Sequence, residues 1–331
     1  MLDRRWPGLD GLRGCAVAAV VLYHLDLVQG GFQGVDVFFV LSGFLITRLV
    51  VAEYERTGRV ALGRFYLRRS LRLYPALIVV SAFCVAVALA ARRSLADTLH
   101  DAGVSVLYVA NLFPLPSGLL DHTWTLALEE QFYLVWPPLL LLCLRGRSTW
   151  RWLPAGSLVI VVLALDLAAG RDGALHSYVR AMGLPLGCAL ALARPWAVTR
   201  LARFGAPAAV GLLLAVLLPL PAALTTGWPA SIGAFLAVPV VALLTLRPVA
   251  LFTWQPLRWL GLRSYGLYLW HFPLLALARH HAPEAIPLSA RLVAGLLASL
   301  IAAELSVRLV ERPALRLRDD WASGASRVER A

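Results

Sequence analysis

His24, Asp36, Glu129, Glu130 and Arg180 are the residues of this sequence best placed to do chemistry, because each is an ionisable group inside a long apolar run. An imidazole beside a carboxylate can serve as a general base near neutral pH. A guanidinium can hold the negative charge that develops on a carbonyl oxygen under attack. Charged groups at membrane depth cost several kcal/mol unless paired or hydrated, so they are functional candidates by default. Plainer uses compete with these. His24 could hydrogen-bond a neighbouring carbonyl, Asp36 could pair with Arg180 or cap a helix, and Arg180 could be a simple counter-ion. Glu129 and Glu130 sit about 100° apart on a helix, so one of them faces a cavity and the other a neighbouring helix.

A second set is basic. RFYLRRSLRLYP, residues 64–75, carries Arg68, Arg69 and Arg72, with Arg68 and Arg72 one helical turn apart. Arginine forks bind phosphate oxygens in pairs, so this cluster could hold a phosphorylated cofactor, joined by Arg13. The competing reading is a positive-inside anchor. His271, in SYGLYLWHFP, lies mid-span. His280 and His281 have no third ligand in view, so no metal is expected. Cys15, Cys84, Cys143 and Cys188 fall far apart in apolar runs and read as small buried hydrophobes.

These groups need helices to position them, and the composition supplies them. The chain has 331 residues, 60% of them hydrophobic, and a formal net charge of +12; its mean hydropathy is +0.72. That is more apolar than a soluble domain and points to a polytopic membrane helix bundle, all-α. The positive charge then sets topology and does not imply nucleic acid. Apolar runs at roughly 13–29, 32–50, 74–91, 124–144, 153–170, 176–193, 204–223, 229–246, 264–279 and 288–310 give about ten spans. A shorter run at 103–115 ends in Asn111, Pro114 and Pro116. If it does not cross, most arginines gather on the side of the N-terminus; if it does, the asymmetry collapses. The expectation is therefore a re-entrant or interfacial 103–115, with both termini cytoplasmic. The arginines near the N-terminus precede no cleavage site, so the first apolar run reads as a retained helix. No repeat and no fused soluble domain is evident, and residues 1–331 read as one transmembrane domain.

In that topology Arg13 lies at the inner end of the first helix, and His24 about 16 Å higher. Asp36, Glu129, Glu130 and Arg180 fall in the same outer half of the bilayer, at one depth with His24.

Seven stretches in order resemble the acyltransferase 3 family of integral membrane acyltransferases. They are Leu9-Asp10-Gly11-Leu12-Arg13-Gly14 with His24, ten residues lying between Arg13 and His24; Gly34-Val35-Asp36-Val37-Phe38-Phe39 with Leu41-Ser42-Gly43-Phe44; Arg68-Arg69, Arg72 and Pro75; Asn111, then Trp124-Thr125-Leu126 with Glu129 and Phe132-Tyr133; Arg180 with Gly187; Ser264-Tyr265 with Tyr268 to His271; and Glu311-Arg312-Pro313. The family more often has Ser where Thr125 stands. The resemblance implies transfer of an acyl group, usually acetyl, from cytosolic acyl-CoA to a hydroxyl of a cell-surface glycan, glycolipid or secondary metabolite. It places the chain in a bacterial plasma membrane, with the lipid bilayer, acyl-CoA and a carbohydrate or small-molecule acceptor as partners.

On this reading the CoA phosphates bind Arg68, Arg69 and Arg72, with Arg13 lining the entry. His24 takes the proton of the acceptor hydroxyl, oriented by Asp36 or Glu129. Arg180 or a backbone donor steadies the oxyanion, with Glu130, Asn111 and His271 as further substrate or oxyanion candidates. A covalent acyl-His intermediate is a second route. No GxSxG sequence is present, which argues against a serine acyl-enzyme. The alternative is a transporter or flippase for a lipid-linked sugar, which would also need buried charges at one depth.

Overall fold

The computed structural model describes residues 6–146, 180–218, 231–280 and 285–316. Among these the fold is helical throughout, with no strand. The first five helices are α1 (Pro7–His24), α2 (Gln33–Thr57), α3 (Leu62–Ala90), α4 (Leu95–Val106) and α5 (Trp124–Arg145). Later helices run over Gly183–Leu192, Pro195–Ala202, Gly205–Leu217, Ile232–Leu246, Ala250–Thr253, Gln255–Leu262, Ser264–His280 and Leu288–Ser306. By length and composition, α2, α3, Asp121–Arg145 and Leu288–Arg316 could each cross a membrane. Pro195–Ala202 and Gly205–Leu217, bent by 55°, make one more if they are a single broken span. The apolar run at 153–170 lies outside the described residues, as do parts of those at 176–193, 204–223 and 229–246.

Several boundaries differ from those expected. The first helix covers Pro7–His24, not 13–29. Proline at its first position suits a helix start, where no N–H bond is lost. Past His24 the chain turns, and Asp26 takes φ 59°. The third helix begins at Leu62, so Arg68, Arg69 and Arg72 lie within it and not ahead of it. Only the first four residues of the run at 103–115 are helical: α4 starts at Leu95, where the Ser94 hydroxyl accepts the Asp97 N–H at 3.3 Å, and stops at Val106. Twelve residues rise about 18 Å, too little to cross a hydrocarbon core.

The chain divides into two compact units. The first comprises Met1–Val60 and Leu128–Ser264. Its core joins Leu12 and Ala16 of α1 to Val37, Val40, Leu41 and Phe44 of α2 and to Ala237, Val240 and Val241 of the Ile232–Leu246 helix. Helices surrounded by lipid gain little from apolar burial and pack instead through small residues that let backbones meet. Two such seams organise this unit. On α1, a Cβ at Gly11 would stand 1.8 Å from the Phe252 carbonyl oxygen, and one at Gly14 2.0 Å from that of Leu257. On α2, a Cβ at Gly43 would stand 2.0 Å from the Leu184 carbonyl oxygen, and one at Gly187 2.1 Å from that of Val40. This second seam locks Gly183–Leu192 against α2 and brings the preceding Arg180 alongside Asp36.

The second unit comprises Ala61–Ala127 and Tyr265–Ala331. Here α4 packs on α3, and so does the π-helical turn Val307–Glu311 that follows Leu288–Ser306. Tyr265 donates its hydroxyl to the Leu73 carbonyl at 2.7 Å, close to Pro75 inside α3. Tyr108, just past α4, is buried, takes φ 54° and meets the Tyr74 ring edge-on at 5.1 Å.

Candidate active site

His24 is the last residue of α1 and is half-buried. Its Nδ1 stands 2.9 Å from the Val20 carbonyl oxygen, one turn back. A carbonyl can only accept, so Nδ1 carries the proton and, in the neutral ring, Nε2 keeps the lone pair. The helix itself thus fixes the tautomer that a general base requires. The Tyr23 ring packs edge-on to His24 at 5.2 Å and to Phe32 at 5.8 Å, tying the end of α1 to the start of α2.

Asp36, fully buried on α2, accepts from Arg180 Nε at 3.3 Å and Nη2 at 3.1 Å, both at Oδ1. Arg180 Nη2 also donates to the Phe32 carbonyl at 3.2 Å, and the guanidinium lies 4.8 Å from the Phe32 ring centroid. The pairing of Asp36 with Arg180, one of the uses weighed from sequence, is therefore present. The bonds described for Asp36 go to Arg180, whereas the bond described for His24 goes to the backbone.

Glu129 takes hydroxyl bonds from Ser42 on α2 and from Tyr133 one turn along α5, both at Oε1. Below them the buried Trp136 donates its indole N–H to Thr47 at 2.8 Å, pinning α5 to α2. Glu130 follows on the same helix, half-buried. Arg13 lies half-buried on α1, next to Gly14 at the seam with Gln255–Leu262.

In the second unit, Arg68 and Arg72 are exposed on α3 and Arg69 is half-buried. Arg72 is within electrostatic reach of Glu311, which accepts from Ser306 at 3.2 Å. Asn111 lies half-buried in the irregular chain after Tyr108. His271 is buried, with Nδ1 2.7 Å from the Tyr268 carbonyl oxygen, so its Nδ1 carries the proton as in His24.

His122 is a residue that sequence reading passed over. It is buried, stacks on Phe272 at 4.9 Å and meets the His271 ring at 5.6 Å. The Thr125 and Tyr268 hydroxyls lie 3.1 and 3.0 Å from the His122 carbonyl and 2.7 Å from each other, so one of them donates to the carbonyl and the other to its fellow hydroxyl or to the same carbonyl. Its place two residues ahead of Trp124-Thr125 was the one available signal. Ser42 and Tyr133 were also missed as Glu129 partners, although Tyr133 stands at the i+4 position where a helix brings side chains together. Among the described residues no group of three His, Cys, Asp or Glu could hold a metal ion.

A membrane-type helix bundle with a tautomer-fixed histidine, a buried Asp–Arg pair and a helical arginine cluster defines the class, and the sequence comparison agrees with it. The chain belongs to the acyltransferase 3 family, whose acyltransferase-domain model matches residues 6–306. It is similar to the peptidoglycan O-acetyltransferase OatA of Listeria monocytogenes, at 33% identity over 344 residues, covering 93% of this chain and 55% of the relative. The putative peptidoglycan O-acetyltransferase YrhL of Bacillus subtilis is 34% identical, covering 93% and 54%. The O-acetyltransferase OatA of Staphylococcus aureus is 31% identical, covering 94% and 57%. The chain spans about half the length of the curated relatives it matches. No solved structure matches it significantly.

Proposed function

We propose that this protein is a multi-pass O-acetyltransferase of a bacterial plasma membrane. It moves an acetyl group from acetyl-CoA to a hydroxyl of a cell-envelope carbohydrate. The arrangement retained is about ten spans with both termini cytoplasmic, as the arginine distribution suggests. The observation that carries the reading is the His24 Nδ1 bond to Val20, which leaves Nε2 as the basic nitrogen.

His24 Nε2 accepts the proton of the acceptor hydroxyl as its oxygen attacks the thioester carbonyl. The tetrahedral oxyanion is steadied by Arg180, which Asp36 holds in place. Collapse expels the CoA thiolate, which recovers the proton from His24. The acceptor leaves as an ester and the donor as free thiol. Asp36 already meets the charge of Arg180, which favours Glu129 as the group that stabilises the His24 imidazolium. Arg68, Arg69 and Arg72 take the CoA phosphates, with Arg13 at the entry; Glu130, Asn111 and His271 remain candidates for acceptor contact.

Family membership favours transfer over the alternative of a lipid-sugar flippase. Purified protein, acetyl-labelled CoA and a mixture of envelope glycans test the proposal. Label joined covalently to a glycan supports it; glycan translocation with no label transferred contradicts it. In the same assay Arg69→Ala should raise the KM for acetyl-CoA about tenfold, the worth of one charge-assisted phosphate contact, with the acceptor KM unchanged.

A further inference from the structure

Gln33 and Asp36 lie one turn apart at the start of α2, and neither has any solvent exposure. The Gln33 Oε1 accepts the Gly233 N–H at 2.7 Å, and Asp36 Oδ1 takes both Arg180 bonds. That leaves one atom on each side chain. Gln33 Nε2, a donor, and Asp36 Oδ2, an acceptor, are buried with no hydrogen-bond partner among the described residues. Leaving such groups unmet is expensive, so a buried pair of them implies an occupant. A Cβ at Gly233 would stand 2.3 Å from Gln33 Oε1 and 3.1 Å from Asp36 Oδ2, so glycine at this position lets the backbone close on both side chains.

The chemistry of the two atoms selects the occupant. An anion would meet the carboxylate oxygen unfavourably. An ammonium would satisfy Oδ2 but oppose the amide N–H and the Arg180 charge beside it. A neutral hydroxyl satisfies both, accepting from Nε2 and donating to Oδ2. The cluster adjoins the end of α1 that carries His24, through the Tyr23–Phe32 ring contact, and Arg180, 18% exposed, is its open edge. We propose that Gln33 and Asp36 form a positioning subsite that holds a second, non-reacting hydroxyl of the acceptor carbohydrate and so selects which of its hydroxyls reaches His24.

This inference rests on the acyltransferase reading, and its test separates the two. Binding of triacetylchitotriose and of its O-methylated form would be measured by calorimetry on the detergent-purified chain, without acyl donor. The O-methylated sugar keeps its acetamido groups and loses its hydroxyls. Wild type should bind the unmodified sugar at least about tenfold more tightly than the methylated one. Gln33→Met should lose about tenfold for the unmodified sugar, with acetyl-CoA binding unchanged as the check on folding. If that variant fails to fold, wild type measured with sugars O-methylated at single positions decides the matter: one methyl, away from the reacting hydroxyl, should account for the tenfold loss. No sugar binding by wild type, or equal binding by wild type and variant, overturns the subsite; the latter would mean that a water fills it. Sugar binding without acetyl transfer would leave the subsite standing and contradict the enzyme reading alone.

Discussion

The charged cluster around α2 and the imidazole cluster around His122 solve the same problem by different means. In the first, Asp36 and Arg180 come from positions 144 apart and neutralise each other, while Glu129 collects two hydroxyls. In the second, His271 bonds a carbonyl of its own helix, while Thr125 and Tyr268 reach the His122 carbonyl, so the described bonds run to backbone oxygens and not between opposite charges. Removing one charge from a buried pair strands the other, whereas removing one neutral hydroxyl costs a single bond. The first cluster is therefore intolerant of single changes and suited to holding reactive groups. The second resembles a packed support.

Stability measurements can break or sharpen that contrast. Asp36→Ala should cost about 3–5 kcal/mol, read as denaturation in detergent, because Arg180 is left without its partner. Asp36→Ala with Arg180→Met should recover much of the loss; a double variant as unstable as the single one would show that the pair is not the source. Tyr133→Phe removes one hydroxyl bond to the Glu129 carboxylate and should cost about 1.5–3 kcal/mol. Tyr268→Phe removes a neutral hydroxyl and should cost only about 0.5–1.5 kcal/mol. If Tyr268→Phe proves as damaging as Asp36→Ala, the two clusters do not differ in the way described.

Helices that carry enough apolar residues were legible in the sequence. The second apolar run, 124–144, 264–279 and 288–310 each fall on an observed helix. Boundaries were lost where hydropathy stops being the cause. The helix α1 begins at Pro7 because the face bearing Gly11 and Gly14 packs against the segment from Phe252 to Gly261, and a window averaged over Asp10 and Arg13 hides that face. In α3 the arginines mask a helix that continues through them. The ionisable candidates could be named because charge in an apolar run stands out. Their partners could not be fixed: Asp36 with Arg180 was one option among several, and only the seam at Gly43 and Gly187 selects it. Gln33 drew no notice because an uncharged amide in a glycine-rich turn looks like a turn residue. His122 lies outside any apolar run and depends on helix packing for its company.

The central claim is that His24, held by the Val20 carbonyl, is the base that activates the acceptor. Its most direct test is acetyl transfer from labelled acetyl-CoA by His24→Ala, with folding verified by size exclusion in detergent and by unchanged acetyl-CoA binding. A general base contributes about 10²–10⁴ in rate, so transfer should fall by about a thousandfold while donor affinity holds. Transfer within a few-fold of wild type by the folded variant would contradict the claim.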